Sequence, residues 1–416
     1  MWAIVKDDPI HSAEANSQRL LPGLGAGVRN SCLVRWSLSL GLLISVTGLS
    51  LAAEPSTAAV SALPGLTYTN TRIAGVPLSI HVIRLQRADP EYQIQSIHAL
   101  GEAVGLDTLS HQLGLVKPAL GAVVAAINGD YYQREKSFAG AARGLQIMDG
   151  ELLSGPSGEV SFWIDAVGEP HADIVASQFQ ITWPDGTVTA FGLNGERQAG
   201  GVELYTPAIG PSTHTTGGSE IILARSEGGP WLPLRIGRTY TARVQEIREA
   251  GDTPLATNIM VVSVGPGGLP QRQPRLQIGD SLRISTASRP ALHGIRTAIS
   301  GGPLLVRNGE QVRLKASDSE SYQITSMQER HPRAAIGWNE TSFFLVEVDG
   351  RQKHLSVGMT LDELAKFLAK LGCEEAMNFD GGGSATLWFD GQVRNSPCDR
   401  MEREIANCLV IVRKKR

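Results

Sequence analysis

The sequence predicts an α+β fold of strand-rich mixed sheets with a few helices. Three observations carry that expectation. The 416 residues include 46 glycines and 22 prolines, a composition that favours turns over long helices. Short runs of alternating apolar and polar residues recur between turn signals. One C-terminal segment, by contrast, holds a complete set of helix start and stop signals.

Taken in order, the chain begins with a polar leader, Met1–Val28, followed by Arg29 and Arg35 before an apolar stretch from Leu38 to Leu51 that ends in Ala52-Ala53. A basic flank, a short apolar run and small residues read as a secretory signal peptide cleaved near Ala53, so residues 1–53 are set aside from the fold. The stretch is interrupted by Ser39, Gly41, Ser45 and Gly48, which makes it short and weakly apolar for a lasting membrane span. A secreted or periplasmic protein is expected. Glu54–Pro64, rich in Ala, Ser and Pro, reads as a linker, and one domain is expected over residues 65–416.

Within that domain, Ser79–Leu85 and Tyr92–Ile97 alternate as strands, and Thr108–Leu115 reads as a short helix. Gly121–Ile127 is a continuous run of small apolar residues, the pattern of a strand buried on both faces, ending in Asn128-Gly129-Asp130-Tyr131-Tyr132. From about Gly144 to Ala287 the turn signals Asp149-Gly150, Asp185-Gly186, Glu227-Gly228-Gly229 and Gly265–Gly268 separate short strands, so this part reads as a β-rich insertion. Strands are then expected at Arg333–Trp338, Ser342–Val348 and Ile405–Val412. Thr360-Leu361-Asp362-Glu363 is a capping box, Leu361, Leu364, Ala365, Leu368 and Leu371 share one helical face, and Gly372 ends the helix. A brief strand, Ala376–Phe379, delivers Asp380.

A net charge of −3 gives no electrostatic reason to expect nucleic acid or an anionic membrane as partner. Outside the leader there are three cysteines, Cys373, Cys398 and Cys408. Their spacing matches no zinc pattern, and Cys398 and Cys408 flank a short charged loop across which they are able to pair, the alternative being three buried or free thiols.

Asp380-Gly381-Gly382-Gly383-Ser384 is the sharpest chemical feature. Three consecutive glycines after a strand suit close backbone approach, and their N–H groups are able to converge on an anion beside the carboxylate. The alternative is a sharp turn in which Asp380 caps its own loop amides. Asn128–Tyr132 repeats the logic of a buried strand ending in glycine and carboxylate. Its tyrosines are suited either to stacking on a sugar or to the core. Ser300-Gly301-Gly302-Pro303 is a third strand-end turn.

Together these segments resemble the phosphodiester glycosidase family. The matching patterns are Asn128–Tyr132, Ser300–Pro303, Pro332–Gly337, Asn378–Ser384 and Glu402-Arg403, in the same order over roughly Gly121–Val412. Asp130-Tyr131-Tyr132 departs from the Gly-Phe-Phe that many members carry, and Ile405 stands where proline is frequent. The resemblance implies an enzyme that hydrolyses an α-linked sugar from a phosphodiester in a glycan or sugar-phosphate substrate. It places Asp380 as the principal catalytic carboxylate, with Asp130 or Glu402 as the second. Arg333 and Arg403 are the candidates for holding the phosphate, because guanidinium engages phosphate oxygens bidentately. Arg143 is a weaker third, for which an ordinary surface salt bridge is the simpler reading. Asn128, Gly129, Tyr131, Gly301, Gly302, Gly381, Gly382, Gly383 and Ser384 complete the expected substrate site. No cofactor or metal motif stands out, although Asp130, Asp380 and loop carbonyls are of the right type for a hard divalent cation. Two rival readings are a non-catalytic glycan-binding envelope protein on the same fold and a hydrolase of ordinary glycosides.

Overall fold

The computed structural model describes residues 56–415, apart from 102, 135–137, 227, 268–275 and 315–326. The leader, its apolar stretch and the cleavage point near Ala53 lie outside the described residues, as do parts of the turns at Glu227 and Gly268. Among the described residues no helix is long and apolar enough to cross a membrane.

The architecture is strand-rich with few helices, arranged in three sheets. The eight-stranded sheet runs Ser56–Leu63, Leu66–Ile73, Leu78–Gln86, Ser342–Val348, Arg333–Trp338, Glu375–Asn378, Leu304–Arg307, Glu310–Gln311, every neighbour antiparallel. A five-stranded antiparallel sheet places Asn407–Arg413 between Tyr92–His98 and Ala122–Asn128, with Leu387–Phe389 and Gln392–Val393 beyond. A twelve-stranded sheet gathers the strands from Gln146–Met148 to Thr297–Ser300. Its pair Gly192–Leu193 and Val202–Tyr205 is parallel and its other ladders are antiparallel, so the expected mixing of directions is confined to that pair among the described residues.

Ser56–Leu63 is a strand rather than a linker. The hairpin closes through Pro64-Gly65, where proline presets the first turn position and Gly65 takes a φ of 69°, so the turn chemistry outweighs the Ala/Ser-rich composition. The long helix forms over Leu361–Leu371 with both capping-box bonds present: Glu363 N–H donates to Thr360 Oγ1 at 3.1 Å and Thr360 N–H to Glu363 Oε2 at 3.0 Å. Gly372 ends it at a φ of 94°. Its buried face, Leu361, Leu364, Ala365 and Leu368, covers the eight-stranded sheet at Val306, Ala335, Phe344 and Ala376.

One core belongs to all three sheets. Ile83, Ile336 and Met377 from the first, Ile127 and Leu409 from the second, and Phe162 and Ile299 from the third share one buried cluster with Phe379. Each such side chain contributes about 1.5–3 kcal/mol on burial. That shared core sets three strand ends side by side, those of Ala122–Asn128, Thr297–Ser300 and Glu375–Asn378. The free thiols Cys373, Cys398 and Cys408 form no disulfide, so the suggested Cys398–Cys408 bridge is not present.

Candidate active site

Asparagine amides stitch the three strand ends together. Asn128 Nδ2 donates to the Asp380 carbonyl at 2.6 Å, and its Oδ1 accepts the Thr386 N–H at 3.1 Å. Asp380 N–H donates to the Gly129 carbonyl at 3.0 Å. Asn378 Nδ2 donates to the Gly302 carbonyl at 3.0 Å, and Gly302 N–H returns a bond to the Asn378 carbonyl at 2.6 Å. The buried Gly301 donates its N–H to Val160, in the twelve-stranded sheet. Asn128, Gly129, Gly301 and Gly302 therefore build the wall from behind, as scaffold rather than as groups facing a substrate.

In front of that wall is a cavity of about 450 Å³, lined by Tyr131, Tyr132, Arg134, Arg143, His331, Arg333, Arg351, Asp380, Gly381–Gly383 and Arg403. Among the described residues, five guanidinium groups thus share the lining with one carboxylate. Arg333 is buried, with Nε donating to the Met359 carbonyl at 2.8 Å and Nη2 to the Glu329 carbonyl at 2.9 Å. Burial brings it down to about 10, so it remains cationic at neutral pH. Arg403 is held by Asp399 through Nε at 3.0 Å and Nη2 at 2.6 Å. Arg351 donates Nε to His331 Nδ1 at 3.3 Å. Burial, then Arg333 and Arg351, lowers the pKa of His331 and favours the neutral ring. The Arg134 guanidinium stands over the Tyr132 ring, 5.7 Å from its centroid.

Asp380 is half-buried, and burial raises its pKa. The Ser384 hydroxyl, the Gly381 N–H and the charges of Arg403 and Arg134 oppose that rise. Ser384 is fully buried and lies behind the cavity wall, with a hydroxyl that does not reach regular hydrogen-bond geometry. Asp130 is more deeply placed. Its Oδ2 accepts the Gly144 N–H at 2.9 Å, while Asn407 Oδ1 accepts the Asp130 N–H at 2.8 Å. Burial pushes its carboxyl up to about 7 against the pull of the Gly144 and Tyr131 amides, and the charge of Asp380 adds to the rise. The site thus pairs a carboxyl that holds its proton near neutrality with one beside several cations.

Two sequence expectations change. The glycine loop is not an open anion nest, because Gly382 N–H is bonded to the Pro332 carbonyl at 2.9 Å and Ser384 N–H to Gly381 at 3.1 Å. Its glycines instead allow close packing: a Cβ on Gly383 would lie 1.9 Å from Arg403 Nη2. Glu402 is not brought to Asp380, since its carboxylate accepts the Ser110 N–H at 2.9 Å, in the short helix Leu109–Gly114. Tyr131 and Tyr132 do line the cavity, but their hydroxyls are tied to the protein: Tyr131 to the Gly302 carbonyl at 3.4 Å, Tyr132 to the Glu404 carbonyl at 2.7 Å. Arg143, expected only weakly, lines the cavity. Arg134, His331 and Arg351 carry no motif of their own. Their one sequence signal is proximity, His331 standing two residues before Arg333 and Arg351 two after Asp349.

The stretch holding Arg333, Asp380 and Arg403 also carries a likeness to known proteins. Residues 240–412 match the phosphodiester glycosidase family. Asn128–Asp130, the other half of the site, lies outside the matched residues. A bovine protein, N-acetylglucosamine-1-phosphodiester alpha-N-acetylglucosaminidase, is 32% identical over 118 residues, which are 26% of this chain and 22% of that protein. The chain therefore spans under a quarter of that relative's length. The fold is shared more widely. A hypothetical protein from Synechocystis superposes with a TM-score of 0.68 at 20% identity, covering 85% of this chain and 64% of that one. A putative exported protein from Burkholderia pseudomallei superposes with a TM-score of 0.62 at 19% identity, covering 81% and 74%.

Proposed function

We propose that this chain is a hydrolase that acts outside the cytoplasm and cleaves the bond between a sugar and phosphate in a glycosyl phosphodiester. The observation that carries this reading is the cavity itself, where, among the described residues, Arg134, Arg143, Arg333, Arg351 and Arg403 share the lining with one carboxylate, Asp380. An uncharged glycoside has no use for so many cations, whereas a phosphodiester and the phosphate monoester that leaves it are anions. The name of the bovine relative and the family match point to the same chemistry.

In this reading the arginines bind the phosphate and offset the charge that grows on it as the bond from the anomeric carbon to the phosphate oxygen lengthens. Water supplies the new hydroxyl on the sugar. Asp380 acts at the anomeric carbon, either by bonding to it or by taking the proton of the attacking water. Asp130 is the second carboxylate and a proton reservoir, in preference to Glu402, whose carboxylate is bound to Ser110. Tyr131 and Tyr132 offer ring edges and faces to the sugar. The basic, apolar and small-residue pattern of the leader supports an extracytoplasmic setting.

The test is release of free sugar from a panel of sugar 1-phosphodiesters, beside the same sugars as phosphate-free aryl glycosides. The phosphodiesters are expected to be cleaved and the plain glycosides not. Asp380→Asn should lower the rate by about 10²–10⁴-fold with an unchanged circular dichroism spectrum. Equal rates for wild type and variant would remove Asp380 from the mechanism. Sugar binding without turnover across the panel would sink the hydrolase reading and leave a glycan-binding protein.

A further inference from the structure

Away from the cavity, the eight-stranded sheet buries a second polar cluster. His81 projects from the strand Leu78–Gln86, Glu347 from Ser342–Val348, and Asp349 follows directly. All three are buried, at 4%, 0% and 2% exposure, and one ligand atom from each lies within 4.8 Å of the others. His81 Nε2 is 2.9 Å from Asp349 Oδ2. Asp349 Oδ1 accepts the Ser396 N–H at 2.7 Å, and Glu347 Oε1 accepts Asn395 Nδ2 at 3.1 Å.

The remaining oxygen, Glu347 Oε2, is wholly buried and has no hydrogen-bond partner among the described residues. Leaving such an atom unmatched is costly, and two adjacent buried carboxylates need a proton or a cation between them.

We propose that His81, Glu347 and Asp349 bind a divalent transition-metal ion of the zinc or manganese class. One imidazole nitrogen with carboxylate oxygens suits such ions, whereas calcium prefers oxygen alone. The ligand atoms must shift to reach metal–ligand distances of about 2.0–2.2 Å. The second layer is already in place, because the Tyr68 hydroxyl lies 2.8 Å from His81 Nδ1. A proton on Nδ1 donated to that hydroxyl leaves the Nε2 lone pair facing the carboxylates. Asn395 and Ser396 open the segment that continues to Asp399 and Arg403, so the ion steadies one wall of the cavity without entering it. The proposal is independent of the activity proposed above.

The experiment uses the full chain, stripped with a chelator and titrated calorimetrically with zinc, manganese and calcium chlorides. One zinc or manganese ion per chain is expected for wild type and for Asp380→Asn, with at least tenfold weaker binding in Glu347→Gln and His81→Gln. No stoichiometric uptake, a preference for calcium, loss of the ion in Asp380→Asn, or wild-type affinity in Glu347→Gln would each overturn the assignment. Should the cluster variants not fold, anomalous diffraction at the zinc edge from wild-type crystals decides. A peak between His81, Glu347 and Asp349 supports the site, and a peak elsewhere or none refutes it.

Discussion

At Gly383 a methyl group would stand 1.9 Å from Arg403 Nη2 and 2.2 Å from the Asp399 carboxylate, so alanine has to push that ion pair aside. The obstacle is the far end of two side chains rather than backbone, and Gly383 does not sit at positive φ. Gly383→Ala is therefore expected to leave the melting temperature within a few degrees of wild type. It should raise KM for a phosphodiester by about 10-fold or more, the scale of one charge-assisted hydrogen bond, with kcat less affected. An unchanged KM would mean that Arg403 does not hold the phosphate. Glu402 and Arg403 also show where residue-level reading stops. They are neighbours in one motif, yet one reaches Ser110 and the other the cavity. Motif adjacency says nothing about which side of the backbone each faces. Arg333 was readable because it sits within a motif at a strand start, whereas Arg134 lies beyond the end of the aromatic motif.

At the scale of elements, the long helix was the most legible, because its signals are local. Thr360, Glu363 and Gly372 each act within one turn of the residues they cap. Thr360→Ala removes the side-chain bond to Glu363 N–H, and is expected to destabilise the protein by about 1 kcal/mol, readable in urea unfolding with an unchanged m-value. A loss below a few tenths would show that Glu363, which also pairs with Arg330, holds the first turn alone. Strands at Leu78–Gln86, Tyr92–His98 and Ala122–Asn128 followed from period and burial. Ser56–Leu63 did not, because small residues in a hairpin strand resemble a linker until the Pro64-Gly65 turn is weighed. The glycine loop was similarly half-readable. Its need for glycine showed in the sequence, but which N–H groups were already occupied depended on Pro332, far away in the chain.

Over the whole molecule, the balance of protons should show in the pH dependence of stability. Burial raises the Asp130 carboxyl from 3.8 to about 7, so the folded protein holds that proton more tightly than the unfolded chain. Its contribution is complete below the unfolded value and is lost as pH rises through about 7. Asp130→Asn should remove that decline, and the difference in melting temperature between variant and wild type should grow in the variant's favour from acid to neutral pH. Parallel curves would mean that Asp130 is ionised in the folded state. None of this was visible in the sequence, where Asp130 was only a carboxylate at a strand end; its depth comes from packing by Gly144 and Asn407. The gathering of Arg351 and His331 around Asp380 is equally a product of long-range strand pairing, which no local spacing encodes. The same pairing bears on how the chain is made. Asn407–Arg413 lies between Tyr92–His98 and Ala122–Asn128. A nascent polypeptide ending before residue 407 leaves those two strands with open edges facing each other. During synthesis the small sheet, and the half of the cavity resting on it, therefore assembles only after nearly all the described chain has left the ribosome.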